Sequence, residues 1–145
     1  MGENIQIYAD CANTDRSIKC PSQLFRSKRP DLAVVSGKNL TVLELTVCFE
    51  TNTTKSRNYK KQRYASLLDE LIESYDSFNI IFIEITALGF IAEQSYSSFD
   101  KFLRKLNLNA DRIVYKCMET AVRASYYIFC RRGKAWSNPN LLSFY

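Results

Sequence analysis

Arg29-Pro30-Asp31-Leu32-Ala33-Val34-Val35-Ser36-Gly37-Lys38-Asn39-Leu40-Thr41-Val42-Leu43-Glu44-Leu45-Thr46-Val47-Cys48-Phe49-Glu50 is the stretch from which the fold is read. Asp31 to Val35 is short, apolar and rich in β-branched residues, as a strand requires. Ser36 to Asn39 reads as a hairpin turn, with Gly37 free to take a positive φ, and Leu40 to Phe49 reads as the returning strand. Side chains alternate along a strand, so Thr41, Leu43, Leu45, Val47 and Phe49 share one face. Val42, Glu44, Thr46 and Cys48 share the other, and that face carries a carboxylate.

Downstream, Thr51 to Thr54 is polar, and Thr54 or Ser56 is placed to cap a helix reaching about Tyr75. Its apolar set, Tyr64, Leu67, Leu68, Leu71, Ile72 and Tyr75, keeps the i, i+3, i+4 spacing of an amphipathic helix. Its first turns are cationic instead, with Lys55, Arg57, Lys60, Lys61 and Arg63 crowded together. Arg57, Lys60, Lys61 and Tyr64 fall on one helical face and can address one target. Ile80 to Ile85 is an almost continuous β-branched run, expected of a strand covered on both sides, and Glu84 interrupts it. Ser98 to Leu106 and Ala110 to Cys130 read as two further helices. Upstream, Ile5 to Tyr8 is one short candidate strand in an otherwise irregular segment covering residues 1–28. Hairpin, helix, buried strand and helices predict a small α/β domain, its mixed sheet made of an antiparallel hairpin plus a parallel strand reached by a crossover helix. One domain is expected over residues 1–145, with a core at 29–86 and a helical part at 94–145.

The composition supports a packed domain: 145 residues, 46% hydrophobic, with only 4 Gly and 3 Pro. There is no histidine, which removes Ser/His and Cys/His catalytic pairs and Cys/His zinc sites together. Chemistry is left to carboxylates, Lys, Tyr, Cys or a bound metal. Twenty Lys plus Arg against fifteen Asp plus Glu give a net charge of +5, which favours polyanionic partners. Five cysteines, with no secretory signal legible before them and no pair at zinc-binding spacing, point to reduced thiols in the cytosol or nucleus. The longest apolar run, Phe78 to Ala92, contains Asn79 and Glu84 and is too short to span a bilayer, so no membrane role is expected.

Asp31 opens the first strand and Glu44 lies midway along its partner, so the hairpin can set the two carboxylates side by side. Converging carboxylates can hold Mg²⁺ or Mn²⁺ for phosphodiester hydrolysis, and a nearby lysine can orient the water and stabilise charge on the phosphorane. Each residue also has a plainer reading. Asp31 can be a strand-start acid paired with Arg29, Lys60 a solvated helix residue, and the cation cluster a charged face. Glu44 is harder to treat so, because an acid inside an apolar strand is costly unless paired or metal-bound. Glu84 is either a buried acid of the site or, the favoured reading, paired with an Arg or Lys from a neighbouring helix. Tyr64 packs in the core or its hydroxyl holds Lys60 or a phosphate, two compatible roles, and Cys48 is expected to fill space.

Arg29-Pro30-Asp31, then Glu44-Leu45-Thr46, then Lys60 with Tyr64 on the next helix resembles the PD-(D/E)xK nuclease superfamily. The usual motif lysine is replaced by Thr46. That departure, with a lysine on the helix, is similar to the restriction-like endonuclease domain of site-specific non-LTR retrotransposons. The likeness covers Arg29 to Tyr64. Glu84 followed by Gly89-Phe90, and the Arg131-Arg132…Trp136 ending, are similar to related retroelement proteins. The resemblance implies a restriction-endonuclease-like core, a metal-dependent DNA endonuclease, Asp31, Glu44 and the Leu45 carbonyl as ligands of Mg²⁺ or Mn²⁺, and Lys60 as the catalytic lysine. Glu50, which shares the strand parity of Glu44, is a further candidate, as are Thr46 and Tyr64. Arg26, Lys28, Arg29, Lys55, Arg57, Lys61 and Arg63 would grip DNA backbone, with RNA as another substrate. A reverse transcriptase module of a parent element, or a second copy of the chain as in junction-resolving nucleases, would be its partner. The alternative is a non-catalytic nucleic-acid- or protein-binding module that kept the fold.

Overall fold

The computed structural model of the chain describes residues 5–9, 29–65 and 74–131. Its elements are β1 (Ile5–Ala9), β2 (Leu32–Ser36), β3 (Asn39–Cys48), α1 (Thr53–Tyr64), β4 (Ser77–Thr86), α2 (Glu93–Lys105) and α3 (Ala110–Arg131). One four-stranded sheet runs in the order β1-β2-β3-β4. β1 and β2 are antiparallel, as are β2 and β3, whereas β3 and β4 are parallel from Asn39↔Ser77 to Cys48↔Thr86. This is the mixed sheet that the hairpin, helix and buried strand predict. Gly37 turns the hairpin with φ +58°, a left-handed value that costs glycine little.

Both faces of the sheet are covered, and they differ. On one, Val34, Leu43, Ile81, Ile83 and Ile85 pack against Phe99 and Leu103 of α2 and Ala110, Val114 and Ala121 of α3. On the other, Ala33, Leu40 and Val42 pack with Tyr64 of α1, joined by Tyr75, Phe78, Ile80 and Phe82. The turn after β4 is pinned to α3 at Gly89 (φ +86°), where an added Cβ would stand 2.4 Å from a Val122 methyl.

Several boundaries differ from the sequence reading, and β4 starts three residues earlier than expected, at Ser77. β3 ends at Cys48, and a short 3₁₀ turn over Glu50–Asn52 leads directly into α1 at Thr53, with no side-chain cap. Tyr75 lies in the approach to β4, not in a helix. The Leu67, Leu68, Leu71 and Ile72 stripe lies outside the described residues, as do Arg26, Lys28 and the ending beyond Arg131. α2 starts five residues earlier than expected, at Glu93, because Ser95 continues the buried i, i+4, i+8 row of Phe99 and Leu103. Ser97, in the added turn, donates its hydroxyl to the Glu93 carbonyl at 3.0 Å and stays helical. Among the described residues no helix is long and apolar enough to cross a membrane, and Cys48, Cys117 and Cys130 are free thiols.

Candidate active site

The first α1 turns hold no aliphatic side chain, and Tyr64 is the helix's buried residue. What seats this helix on the sheet is a row of polar side chains at positions 57, 60 and 64, spaced to lie on one face. They meet two acids that β3 and β4 present on the same sheet face, Glu44 and Glu84.

Glu44 is 2% exposed. Its Oε1 accepts the Tyr64 hydroxyl at 2.5 Å and the Asp31 N–H at 3.2 Å, and its Oε2 accepts Lys60 Nζ at 2.7 Å. Asp31 sits one step beyond the last β2–β3 pair, Leu32↔Leu43, and its Oδ2 accepts the Leu45 N–H at 2.7 Å. Asp31 and the Glu44-Leu45 peptide are thus tied reciprocally, side chain to backbone in each direction. Lys60 Nζ also donates to the Leu45 carbonyl at 2.8 Å and stands 3.5 Å from Asp31 Oδ2. One ammonium therefore faces three oxygens, from Asp31, Glu44 and the Leu45 carbonyl. The Lys60 side chain is 16% exposed and that of Asp31 51%, so the cluster opens to solvent on the Asp31 side. Burial first, then the hydrogen bond to Glu44 and its charge, push the Tyr64 phenol well above its ordinary value. Tyr64 is consequently a neutral, permanent donor to Glu44.

Glu84, 2% exposed, pairs with Arg57, as expected of a helix-borne cation. Arg57 donates to Glu84 Oε2 from Nε at 3.0 Å and from Nη2 at 2.7 Å. Its Nη2 also reaches the Phe82 carbonyl at 3.3 Å and Ser95 Oγ at 2.9 Å. Ser95 Oγ accepts the Glu84 N–H at 3.0 Å and donates to Glu84 Oε2 at 2.5 Å.

Asp31, Glu44, the Leu45 carbonyl, Lys60 and Tyr64 are therefore brought together. Thr46 follows Glu44 on the same face, level with Glu84, and is half-buried. Glu50 is not in the cluster. The strand stops before it, and its carboxylate accepts the Leu88 N–H at 3.3 Å in the turn after β4. There its own backbone N–H, and further Thr86 and Leu88, hold the carboxyl below its usual value. Arg57, grouped by sequence with the exposed cations, is 12% exposed and committed to Glu84. Arg29, Lys55, Lys61 and Arg63 are exposed, Arg63 lying over the Tyr64 ring at 5.8 Å. Ser95 is the residue that sequence reasoning missed. Its signal was the apolar row of α2 extended back one turn.

Two carboxylates and a carbonyl are hard oxygen donors of the type that Mg²⁺ and Mn²⁺ take. No three His, Cys, Asp or Glu side chains gather as a metal-holding group among the described residues. No protein-family model matches this chain, and no curated protein sequence matches it either.

Proposed function

We propose that the chain is a metal-dependent endonuclease that nicks DNA, built on a restriction-endonuclease-like core. The observation that carries this reading is the convergence of Asp31 Oδ2, Glu44 Oε2 and the Leu45 carbonyl on one cation, Lys60 Nζ, at 3.5, 2.7 and 2.8 Å. A lysine ammonium standing among three hard oxygens marks a place where a divalent ion fits. Asp31, Glu44 and the Leu45 carbonyl would hold it. When bound, Mg²⁺ or Mn²⁺ supplies Lewis acidity toward the phosphate and a water of lowered pKa.

The protein's own groups do the rest. Tyr64 holds Glu44 in one rotamer from the buried side. The Asp31 N–H does so from the strand side. Lys60 would orient the attacking water, whose acidity the bound metal would raise, and its positive charge would offset charge developing on the phosphorane. Arg29, Lys55, Lys61 and Arg63 contact backbone phosphates, which gives salt-sensitive affinity with little base preference, so another module would choose the cleavage site.

A second reading is a nucleic-acid- or protein-binding module that retains the fold. One observation favours it: both oxygens of Glu44 are already satisfied by Lys60, Tyr64 and Asp31, as in a structural ion pair. The deciding experiment is nicking of supercoiled plasmid in Mg²⁺ or Mn²⁺ by the wild type, Asp31→Ala and Lys60→Ala, purified in parallel. The endonuclease reading predicts nicks from the wild type alone, with both variants folded and still binding DNA. If none of the three cuts plasmid, branched DNA or RNA with either metal, the binding module is the better reading.

A further inference from the structure

Arg57 stands three residues before Lys60, so both project from one face of α1 toward the same side of the sheet. β3 and β4 are in parallel register, with Glu84 level with Thr46, two residues beyond Glu44. The helix thus spaces two cations and the sheet spaces two acids, and the pairs close as two rungs: Lys60 on Glu44, Arg57 on Glu84. The rungs differ in kind. Lys60 is a compact ammonium on a flexible stem, suited to exchanging partners. Arg57 is a planar fork bound to one carboxylate, one carbonyl and one hydroxyl drawn from β4 and α2. Ser95, wholly buried, closes the ring by bonding both Arg57 and Glu84.

We infer that Arg57, Glu84 and Ser95 are a positioning unit that sets α1 so that Lys60 meets Glu44 and the Leu45 carbonyl. Two physical reasons carry this. The early turns of α1 lack aliphatic anchors, and N-terminal to Lys60 the contacts that hold them to the sheet are those of Arg57 to Glu84, the Phe82 carbonyl and Ser95. In addition, a Glu84 without Arg57 would be a buried carboxylate competing for the Lys60 ammonium. Neutralising Glu84 leaves Lys60 to Glu44. The consequence for catalysis rests on the endonuclease reading; the consequence for the Lys60 side chain does not.

Arg57→Met and Ser95→Ala test this, the second keeping both charges in place should the first fail to fold. The first readout is the ¹⁵N ammonium signal of Lys60, assigned by its loss in Lys60→Met. It is expected to be protected from solvent exchange in the wild type and to lose that protection in both variants, while the amide signals of the β2–β3 hairpin stay in place. The second readout is nicking: kcat falls roughly 10–100-fold, the cost of a small misplacement of a catalytic group, with KM unchanged. The salt dependence of DNA binding also stays unchanged, whereas a lost phosphate contact lowers its slope by about 1. Adding Glu84→Gln to Arg57→Met removes the competing charge and recovers part of kcat. An unperturbed Lys60 signal in both variants, or a lowered salt slope with kcat preserved, overturns the inference. A wild type that does not nick defeats the endonuclease reading alone, because the ammonium signal still decides the role of Arg57.

Discussion

Two buried carboxylates lie on one face of the sheet, each held by a cation from α1, and only one of them is open. Glu44 shares its lysine with Asp31, whose side chain is 51% exposed, and with a backbone carbonyl. Glu84 is closed in by Arg57 and Ser95, with no comparably exposed member. The polar interface between α1 and the sheet is thus divided between two kinds of contact. A fork with several fixed acceptors locks the layer, while a point charge over three oxygens can be displaced by a better cation. Both pairs are buried enough that removing one partner strands a charge, so both matter to stability. In the proposed endonuclease only the Glu44 pair would lead to chemistry.

The largest expected effect separates the two clusters by activity. Asp31→Ala, at the exposed end, should lower the nicking rate by roughly 10²–10⁴-fold, the range for losing a group that handles a proton or stabilises developing charge. Its urea midpoint should move little, as for most exposed positions. Next comes stability at the closed cluster. Arg57→Met should cost about 3–5 kcal/mol in urea unfolding, because Glu84 is then buried and unpaired, and Arg57→Met with Glu84→Leu should recover most of it. A single variant no less stable than the double would mean that the Glu84 pair is not a lock.

Tyr64→Phe is a smaller change to the open cluster. Loss of the hydrogen bond to Glu44 should cost about 1–3 kcal/mol. It also carries a pH signature. The phenol of Tyr64 is raised above its unfolded value of 10.0, so its stabilising contribution is complete below pH 10 and is lost as pH rises beyond it. Wild-type stability should therefore fall more steeply above pH 10 than that of Tyr64→Phe. The smallest effect is expected at Glu50, which serves the turn after β4; Glu50→Gln should leave the nicking rate unchanged.

The strands and the open cluster were legible in the sequence because local signals and chemistry agreed there. β-branched runs, Gly37 in the turn and strand parity set the β2–β3 hairpin, and parity alone put Glu44 and Thr46 on one face. Helical spacing then linked Lys60 to Tyr64. Less was legible where a contact depends on elements far apart in sequence. The reach of Arg57 to Glu84 and Ser95 joins three elements, and although helical spacing puts Arg57 on the face of Lys60 and Tyr64, nothing in the cationic run shows that it is committed to an acid while Lys61 on that same face stays exposed. Glu50 misled because parity holds only while the backbone stays extended, and the 3₁₀ turn that starts at Glu50 ends it.

In the proposed site the Glu44 cluster opens to accept a divalent ion and the Glu84 cluster does not. Thermal unfolding under Mn²⁺ titration tests it most directly, with the wild type, Asp31→Asn and Ser95→Ala run side by side. The wild type and Ser95→Ala are expected to gain stability as RT ln(1 + [Mn²⁺]/Kd), about 2.7 kcal/mol at a hundredfold excess over Kd, and Asp31→Asn to gain none. Equal gains in the wild type and Asp31→Asn, or no gain in the wild type at millimolar Mn²⁺, would contradict it.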